Sequence, residues 1–328
     1  IKILTTDFAA LTDDLQEVFN SAAKTAIAEM KGNRIFRVRD TQRRTYDYLA
    51  VHGLGGIQLV AQGSDLPAST SDQGDTATWT QSRYGALVSI TKDMRMFDLH
   101  DEIEGIVRSI TQDGFDKIDQ SYADVLTRGS ETSYTDIYNQ SVTSTVPDGL
   151  ALFSTAHTHG ITGITRTFRN QIRNSAATEN PALSRDAIIT ARRDAMILLD
   201  AEAHTRPVNL DTLIVAPSNE DLAMRILFSD QISGSANNDI NPLKGKTKNL
   251  IVWERCQTDG QGVDRSTRWF MADSSKVGET LRSLFAERPS LDPPEQVYKN
   301  KNWEYSLDFY YTIGRAWPAF VWGSTGAN

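Results

Sequence analysis

Hydrophobic positions recur at helical spacing in two long stretches of the chain. Over residues 7 to 31, Leu11, Leu15, Val18, Ala22, Ala26 and Met30 fall three or four apart, a stripe that predicts an amphipathic helix. Asp7 or Thr12 can cap its start, and Gly32-Asn33 ends it. From about Leu99 to Arg128, Ile103, Val107, Ile110, Gly114, Ile118, Tyr122 and Val125 share one face of a second helix. Asp98, Asp101, Glu102 and Glu104 place negative charge at the positive end of its dipole. At 1.5 Å per residue this helix spans roughly 40 Å, more than a small globule wraps, so it predicts the backbone of a flat subunit.

Between and after these helices the pattern is that of strands. Ile35-Phe36-Arg37-Val38 predicts a short one. Tyr46, Tyr48, Leu49 and Val51 begin an extended run that Ile57, Leu59 and Val60 continue. Residues 61 to 78 are then mostly Gly, Ser, Asp, Thr and Ala, and strand character returns at Trp79, Tyr84, Leu87, Val88 and Ile90. The expectation is a long two-stranded arm with a polar tip. An isolated hairpin is only marginally stable in water, so the arm is expected to lie on another surface. After a polar stretch at 131 to 147, Asp148-Gly149 opens the run Leu150-Ala151-Leu152-Phe153. Ser184 caps a helix carrying Ile188, Ala191, Ala195 and Leu198. Leu213-Ile214-Val215-Ala216-Pro217 reads as a buried strand, followed by a helix from Asn219 to Phe228 and a loop over 229 to 247. Further strands are expected at Leu250-Ile251-Val252-Trp253 and Trp269-Phe270-Met271, and long ones through the aromatic segment Trp303 to Trp322. This is an α+β chain, with one compact domain inserted between outlying pieces.

Composition narrows the classes. With 328 residues, 39% of them hydrophobic, the chain can bury the core of one large or two modest domains. No run of eighteen apolar residues crosses a membrane. The single cysteine, Cys256, excludes an internal disulfide and fits cytosolic synthesis. A net charge of −8 argues against neutralising phosphates over the whole surface. The chain begins at Ile1 without Met, from which removal of an upstream segment is expected.

These pieces, in this order, resemble the tailed-bacteriophage major capsid protein family with the Hong Kong 97-type fold. Asp148-Gly149-Leu150-Ala151-Leu152-Phe153-Ser154-Thr155-Ala156-His157 is similar to the DG…LFS…H segment of the Mu-like major head subunits. Ser184 to Leu227, centred on Leu213-Ile214-Val215-Ala216-Pro217, is similar to the same family's helix, strand and helix. Ala201-Glu202-Ala203-His204 departs from it, standing where many relatives carry a glycine-containing turn. The resemblance implies an N-terminal arm over 1–44, an extended loop over 45–92 and a peripheral domain with a long spine helix over 93–147. It implies an α/β axial domain over 148–285 and return strands of the peripheral domain over 286–328. It further implies hexamers and pentamers of an icosahedral shell, non-specific contact with packaged double-stranded DNA, and a virion assembled after synthesis in the bacterial host cytoplasm. Scaffolding, portal and decoration proteins are its other implied partners, with no membrane and no cofactor.

Several local patterns offer other readings. His157-Thr158-His159 places two imidazoles on one side of an extended segment, but a zinc site needs three or four ligands, and His52, His100 and His204 are scattered. A hydrogen-bonded turn fits better. Ser154 and His157 could form a hydrolase pair, yet no G-x-S-x-G elbow surrounds the serine. Gly53-Leu54-Gly55-Gly56 lacks the Lys-Ser/Thr of a phosphate loop and reads as a bend. The run Lys31, Arg34, Arg37, Arg39, Arg43 and Arg44, offset only by Asp40, fits a contact with acidic residues of an adjacent subunit, Asp101 and Glu104 among them; it fits a solvated face equally, and both precede DNA. Trp303, Tyr305, Phe309, Tyr310, Tyr311, Trp317, Phe320 and Trp322 are expected in core and interface packing. No motif pairs Lys92, Lys299 or Lys301 with Asn300 or Asn302 for a crosslink. The function expected is therefore a structural, non-catalytic shell subunit, with a nanocompartment shell of the same fold as the alternative.

Overall fold

In the computed structural model, which describes residues 5–54, 60, 71–97, 100–161, 164–231, 239–297 and 299–327, the chain opens with α1 (Thr5–Glu29) and β1 (Arg37–Asp40). The strands β2 (Thr45–Leu54), β3 (Ser71–Thr80) and β4 (Ser82–Ile90) follow. A short helix α2 (Lys92–Met96), capped by Thr91, leads to the long helix α3 (His100–Thr127). Two small hairpins pair β5 (Ser133–Thr135) with β6 (Ser141–Thr143) and β7 (His157–Thr158) with β8 (Thr167–Phe168). Then come α4 (Arg185–Met196), β9 (Thr212–Val215), α5 (Glu220–Phe228), β10 (Asn249–Val252), β11 (Trp269–Ala272) and α6 (Val277–Thr280). The chain closes with β12 (Leu281–Leu291), β13 (Glu295–Gln296), β14 (Trp303–Arg315) and β15 (Val321–Ser324).

The predicted stripe of α3 is its buried face: Ile103, Val107, Ile118, Tyr122 and Val125 are inaccessible, and Ile110 is half-buried. Leu15, Phe19, Ala26 and Met30 of the first helical segment share its core, together with Tyr305, Leu307, Phe309 and Tyr311 of β14. β14 is the spine of a five-stranded sheet in the order β1-β12-β14-β13, with β4 on the free side of β14. Only the β1–β12 pair in it is parallel.

A second sheet, β10-β9-β11-β15, separates two cores. Ile214, Phe270 and Val321 point to the α3 side, while Leu213, Val215, Trp269, Met271 and Trp322 point to a core covered by Ala187, Ile188, Ala191 and Ala195 of α4 and Ala223 and Leu227 of α5. A sheet buried on both faces explains why its strands read as unbroken apolar runs rather than alternating ones. Each fully buried Leu, Ile or Val in them contributes roughly 1.5–3 kcal/mol relative to exposure.

Several expectations need adjustment. Ser184 caps α4 as expected, its Oγ accepting the Ala187 N–H at 3.2 Å. Asp7 and Thr12, by contrast, lie inside α1 rather than at its start. Ile35 and Phe36 precede β1 instead of opening it, because Phe36 is drawn onto Tyr122 with ring centroids 4.5 Å apart. The polar stretch 71 to 78 is strand, not tip: register with β2 organises residues whose own strand preference is weak. Of the expected tip, residues 61–70 lie outside the described residues, as do 55–59 of the expected strand before it. β4 leaves the arm and pairs along its whole length with Trp303–Tyr311 of β14. The aromatic C-terminal segment divides: β14 belongs to the first sheet, and β15 crosses into the second, where Trp322 is buried.

Candidate functional site

The features expected to matter for assembly are the arm and the basic run, and the Asp148–His157 segment is the one that carries the family resemblance. In the arm, β2 and β3 pair only with each other among the described residues, Tyr46 opposite Trp79 and Tyr48 opposite Ala77. Trp79 is stacked against Tyr46 (5.8 Å, 3°) and Tyr48 (5.7 Å, 19°). This aromatic group is rooted on the first sheet. A Cβ on Gly314 would lie 2.4 Å from the Trp79 ring, so only glycine lets the indole rest on the β14 backbone. The Arg282 guanidinium covers Tyr48 at 4.9 Å. Farther out, Gly160 has φ +65°, and a Cβ there would meet the Asp75 carboxyl at 2.3 Å.

Gln81 joins three segments at the base of the arm. Its Nε2 donates to the carbonyls of Thr41 (3.3 Å) and Arg43 (3.2 Å), and its Oε1 accepts the Ala286 N–H at 2.8 Å. Sequence reasoning missed this residue. A lone glutamine between strands carries no signal until its partners, 205 residues away in one case, are known.

Of the basic run, Arg37 and Arg39 lie on β1, the end strand of the five-stranded sheet, with half-buried Val38 between them. Arg34, Arg37, Arg39, Arg43 and Arg44 are all exposed, and none makes an ion pair among the described residues. Nearby charges behave differently: Lys31 pairs with Glu254 at 2.5 Å, and Asp40 takes Arg288 at 2.8 and 3.0 Å. Arg37 and Arg39 thus put unpaired positive charge on the end strand of the sheet, with Arg34 in the turn before it and Arg43 and Arg44 in the connection to β2.

The acids of α3 split into two groups. Glu102 is exposed, and half-exposed Glu104 faces its own Arg108 at 3.5 Å. The Asp101 side chain lies outside the described residues. Further along, Asp113 pairs with Lys117 and Asp116 with Arg255. Asp119 is buried, accepting the Gly32 N–H and Trp253 Nε1–H at 2.9 Å each, and burial raises its carboxyl pKa against those two hydrogen bonds. Burial likewise pushes Asp124 up to about 6, although Gln120 and the Gly260 N–H bond to it. Asp119 and Asp124 are therefore closed to another molecule, whereas Glu102, Glu104 and Asp113 keep exposed carboxylates.

The DG…LFS…H segment folds into a clasp. His157 Nδ1 lies 2.7 Å from Asp148 Oδ2, and Nε2 lies 3.2 Å from the Leu152 carbonyl and 3.1 Å from Asn170 Oδ1. Asn170 Nδ2 in turn donates to the carbonyls of Leu152, Pro318 and Val321 at 2.6–3.1 Å. The clasp therefore ties residues 148–158 to the entry of β15. His157 is directed away from Ser154, whose Oγ instead accepts the Ala156 N–H at 3.3 Å, so the two are not arranged as nucleophile and base. His157 and His159 are both buried and lean on Phe168, at 5.3 Å each. A buried hub around Asp259, which takes Arg128 and Arg265 at 2.6 and 2.9 Å, is a further feature with no sequence signal.

Residues 75–322 match the family of phage capsid proteins. The chain belongs to this family. Its fold is also that of solved phage capsid structures at low sequence identity. The capsid of Myoviridae phage XM1 aligns with a TM-score of 0.53 and 11% identity over 90% of this chain and 91% of that one. The mature capsid of bacteriophage PhiM1 aligns at 0.53 and 12% over 89% and 86%, and Gordonia phage Cozz at 0.53 and 9% over 90% and 85%. Comparison with curated proteins finds no match. This phage capsid protein thus has the Hong Kong 97-type mixture of helix and sheet that its order of elements resembled.

Proposed function

We propose that this capsid protein is the major, shell-forming subunit of a tailed-phage head, assembling as hexamers and pentamers around double-stranded DNA in the virion. On this reading residues 1–44 form the N-terminal arm, 45–92 the extended loop, 93–147 and 286–328 the peripheral parts and 148–285 the axial domain. The observation that carries it is the β2–β3 ribbon, rooted on its own sheet by Trp79 and Gly314 and without a third strand among the described residues. Such a ribbon gains stability by lying over a neighbouring copy. The row Arg34, Arg37, Arg39, Arg43 and Arg44 meets the acidic start of the neighbour's long helix, Asp101 and Glu104, guiding approach and register. Work of this kind is done by interfaces and needs no catalytic group.

The test is expression of the chain, electron microscopy of the product and nuclease treatment of purified particles. Closed shells holding nuclease-protected DNA agree with the proposal. Small shells holding protein and no DNA favour a nanocompartment, and a monodisperse monomer at high concentration overturns both.

A further inference from the structure

The four-stranded sheet carries two exposed apolar patches of opposite charge at opposite ends of its parallel strands. Where β9 and β10 begin, beside Asn209 and Lys248, Ile189, Met196, Ile197 and Pro242 line a groove of about 760 Å³. Ile197 is 61% exposed and Met196 45%. The rim is basic: Arg193, Lys246 and Lys248 are exposed, and neither lysine has an ion-pair partner among the described residues. Arg192, beneath them, donates to the carbonyls of Leu210 and Lys246 at 2.6 and 2.9 Å, fixing the groove wall to the sheet.

Where β9 ends, the charge is reversed. α5 starts there with Glu220, Asp221, which pairs with Arg225 one turn on, and exposed Leu222. The 257–266 segment is tied to that end by Ser218 Oγ to Gln257 Oε1 (3.1 Å) and by Asn219 Nδ2 to the Ser266 carbonyl (2.7 Å). Lying at opposite ends of one layer, the two patches cannot close on each other within a chain. They can between copies. A contact that joins two different patches is heterologous, and its repetition closes a ring when the rotation allows.

We infer that the acidic end of one copy, centred on Leu222, seats in the basic apolar groove at Ile197 of a second copy. This deepens the proposed shell assembly and rests on it: the contact places copies head to tail around a capsomer. Opposite charges set the direction of docking, and the exposed aliphatic side chains are what the contact buries.

Single-cysteine variants test it, because the native Cys256 is fully buried and stays silent. Ile197→Cys and Leu222→Cys chains are prepared separately, mixed at assembly concentration, oxidised and run on a non-reducing gel. Disulfide dimers are expected in the mixture and at least several-fold fewer in either variant alone; the double variant should give a ladder of higher multimers. Dimers as abundant in a single variant, or none in the mixture, overturn the contact. Lys246→Glu should cut the mixed dimer several-fold and Glu220→Lys should restore it, so an unchanged yield counts against the charge pairing. Microscopy of the same samples separates the two claims. Shells without the mixed crosslink sink the contact alone, and absence of both sinks the assembly reading with it.

Discussion

Asp148 and His157 form a buried hydrogen-bonded pair in which Oδ2 and Nδ1 lie 2.7 Å apart, with side-chain exposures of 4% and 0%. Burial alone would raise the Asp148 pKa. The hydrogen bond and charge of His157, with the N–H groups of Leu150 and Thr158, outweigh it and hold the carboxyl below its ordinary range. A depressed carboxylate pKa adds stability that is complete above the unfolded value of about 4 and is lost as pH falls through the folded one. Asp148→Asn should therefore cost about 3 kcal/mol at neutral pH, because it leaves His157 buried without its carboxylate. The gap between variant and wild type should shrink below about pH 4, measured by urea unfolding across pH.

Asp124 has the opposite sign. Its carboxyl, raised to about 6 by burial, binds a proton in the folded chain at pH values where the unfolded chain has released it. Its effect thus favours the fold more at pH 5 than at pH 7, by an amount lost between about pH 4 and 6 and worth up to about 3 kcal/mol. Asp124→Asn should remove that slope, and pH-resolved melting of the variant against wild type reads it directly. A slope unchanged in the variant contradicts the assignment.

Ala203 occupies a left-handed backbone conformation, φ +70°, in the turn where Asp200 accepts the N–H groups of Glu202 and His204. It lies within Ala201-Glu202-Ala203-His204, the segment that departs from the glycine-containing turn the resemblance implies. A left-handed non-glycine residue costs roughly 1–2 kcal/mol. Ala203→Gly should accordingly stabilise the chain by up to about 1 kcal/mol, after the greater entropy of an unfolded glycine is deducted. A melting temperature raised by roughly 2 °C is the expected readout.

Arg37→Glu combined with Arg39→Glu should impair assembly while leaving subunit melting nearly unchanged, since both side chains are exposed and free of ion pairs among the described residues. Single surface pairs are worth only about 0–1 kcal/mol, but a shell repeats each contact many times. The defect should weaken at high salt, where charge is screened over a few ångströms. A compensating Glu104→Arg should restore particle yield. Normal assembly of the reversed chain at low salt would leave the row as a solvated face.

What the sequence revealed follows from how local each signal is. The stripe of α3, the Ser184 cap and the apolar run of β9 are written within one element, and all three appear where expected. β3 was half hidden because Ser71, Asp72, Gln73 and Gly74 have little strand preference and take their register from β2. Long-range partners left no trace: β4 finds β14 more than 200 residues on, and Val321–Ser324 joins β11 across a change of sheet. For the assembly surfaces, the exposed arginines were legible as a charge run. The buried fate of Asp119 and Asp124 was not, because a helical acid facing a core looks the same in sequence as one facing water.

The most direct measurement of the central claim is a cryo-electron microscopy reconstruction of assembled particles at side-chain resolution. It should show six-fold and five-fold capsomers in which the β2–β3 ribbon, rooted at Trp79 on Gly314, runs over an adjacent copy. A ribbon folded back wholly onto its own subunit, or particles with no capsomers, would contradict it.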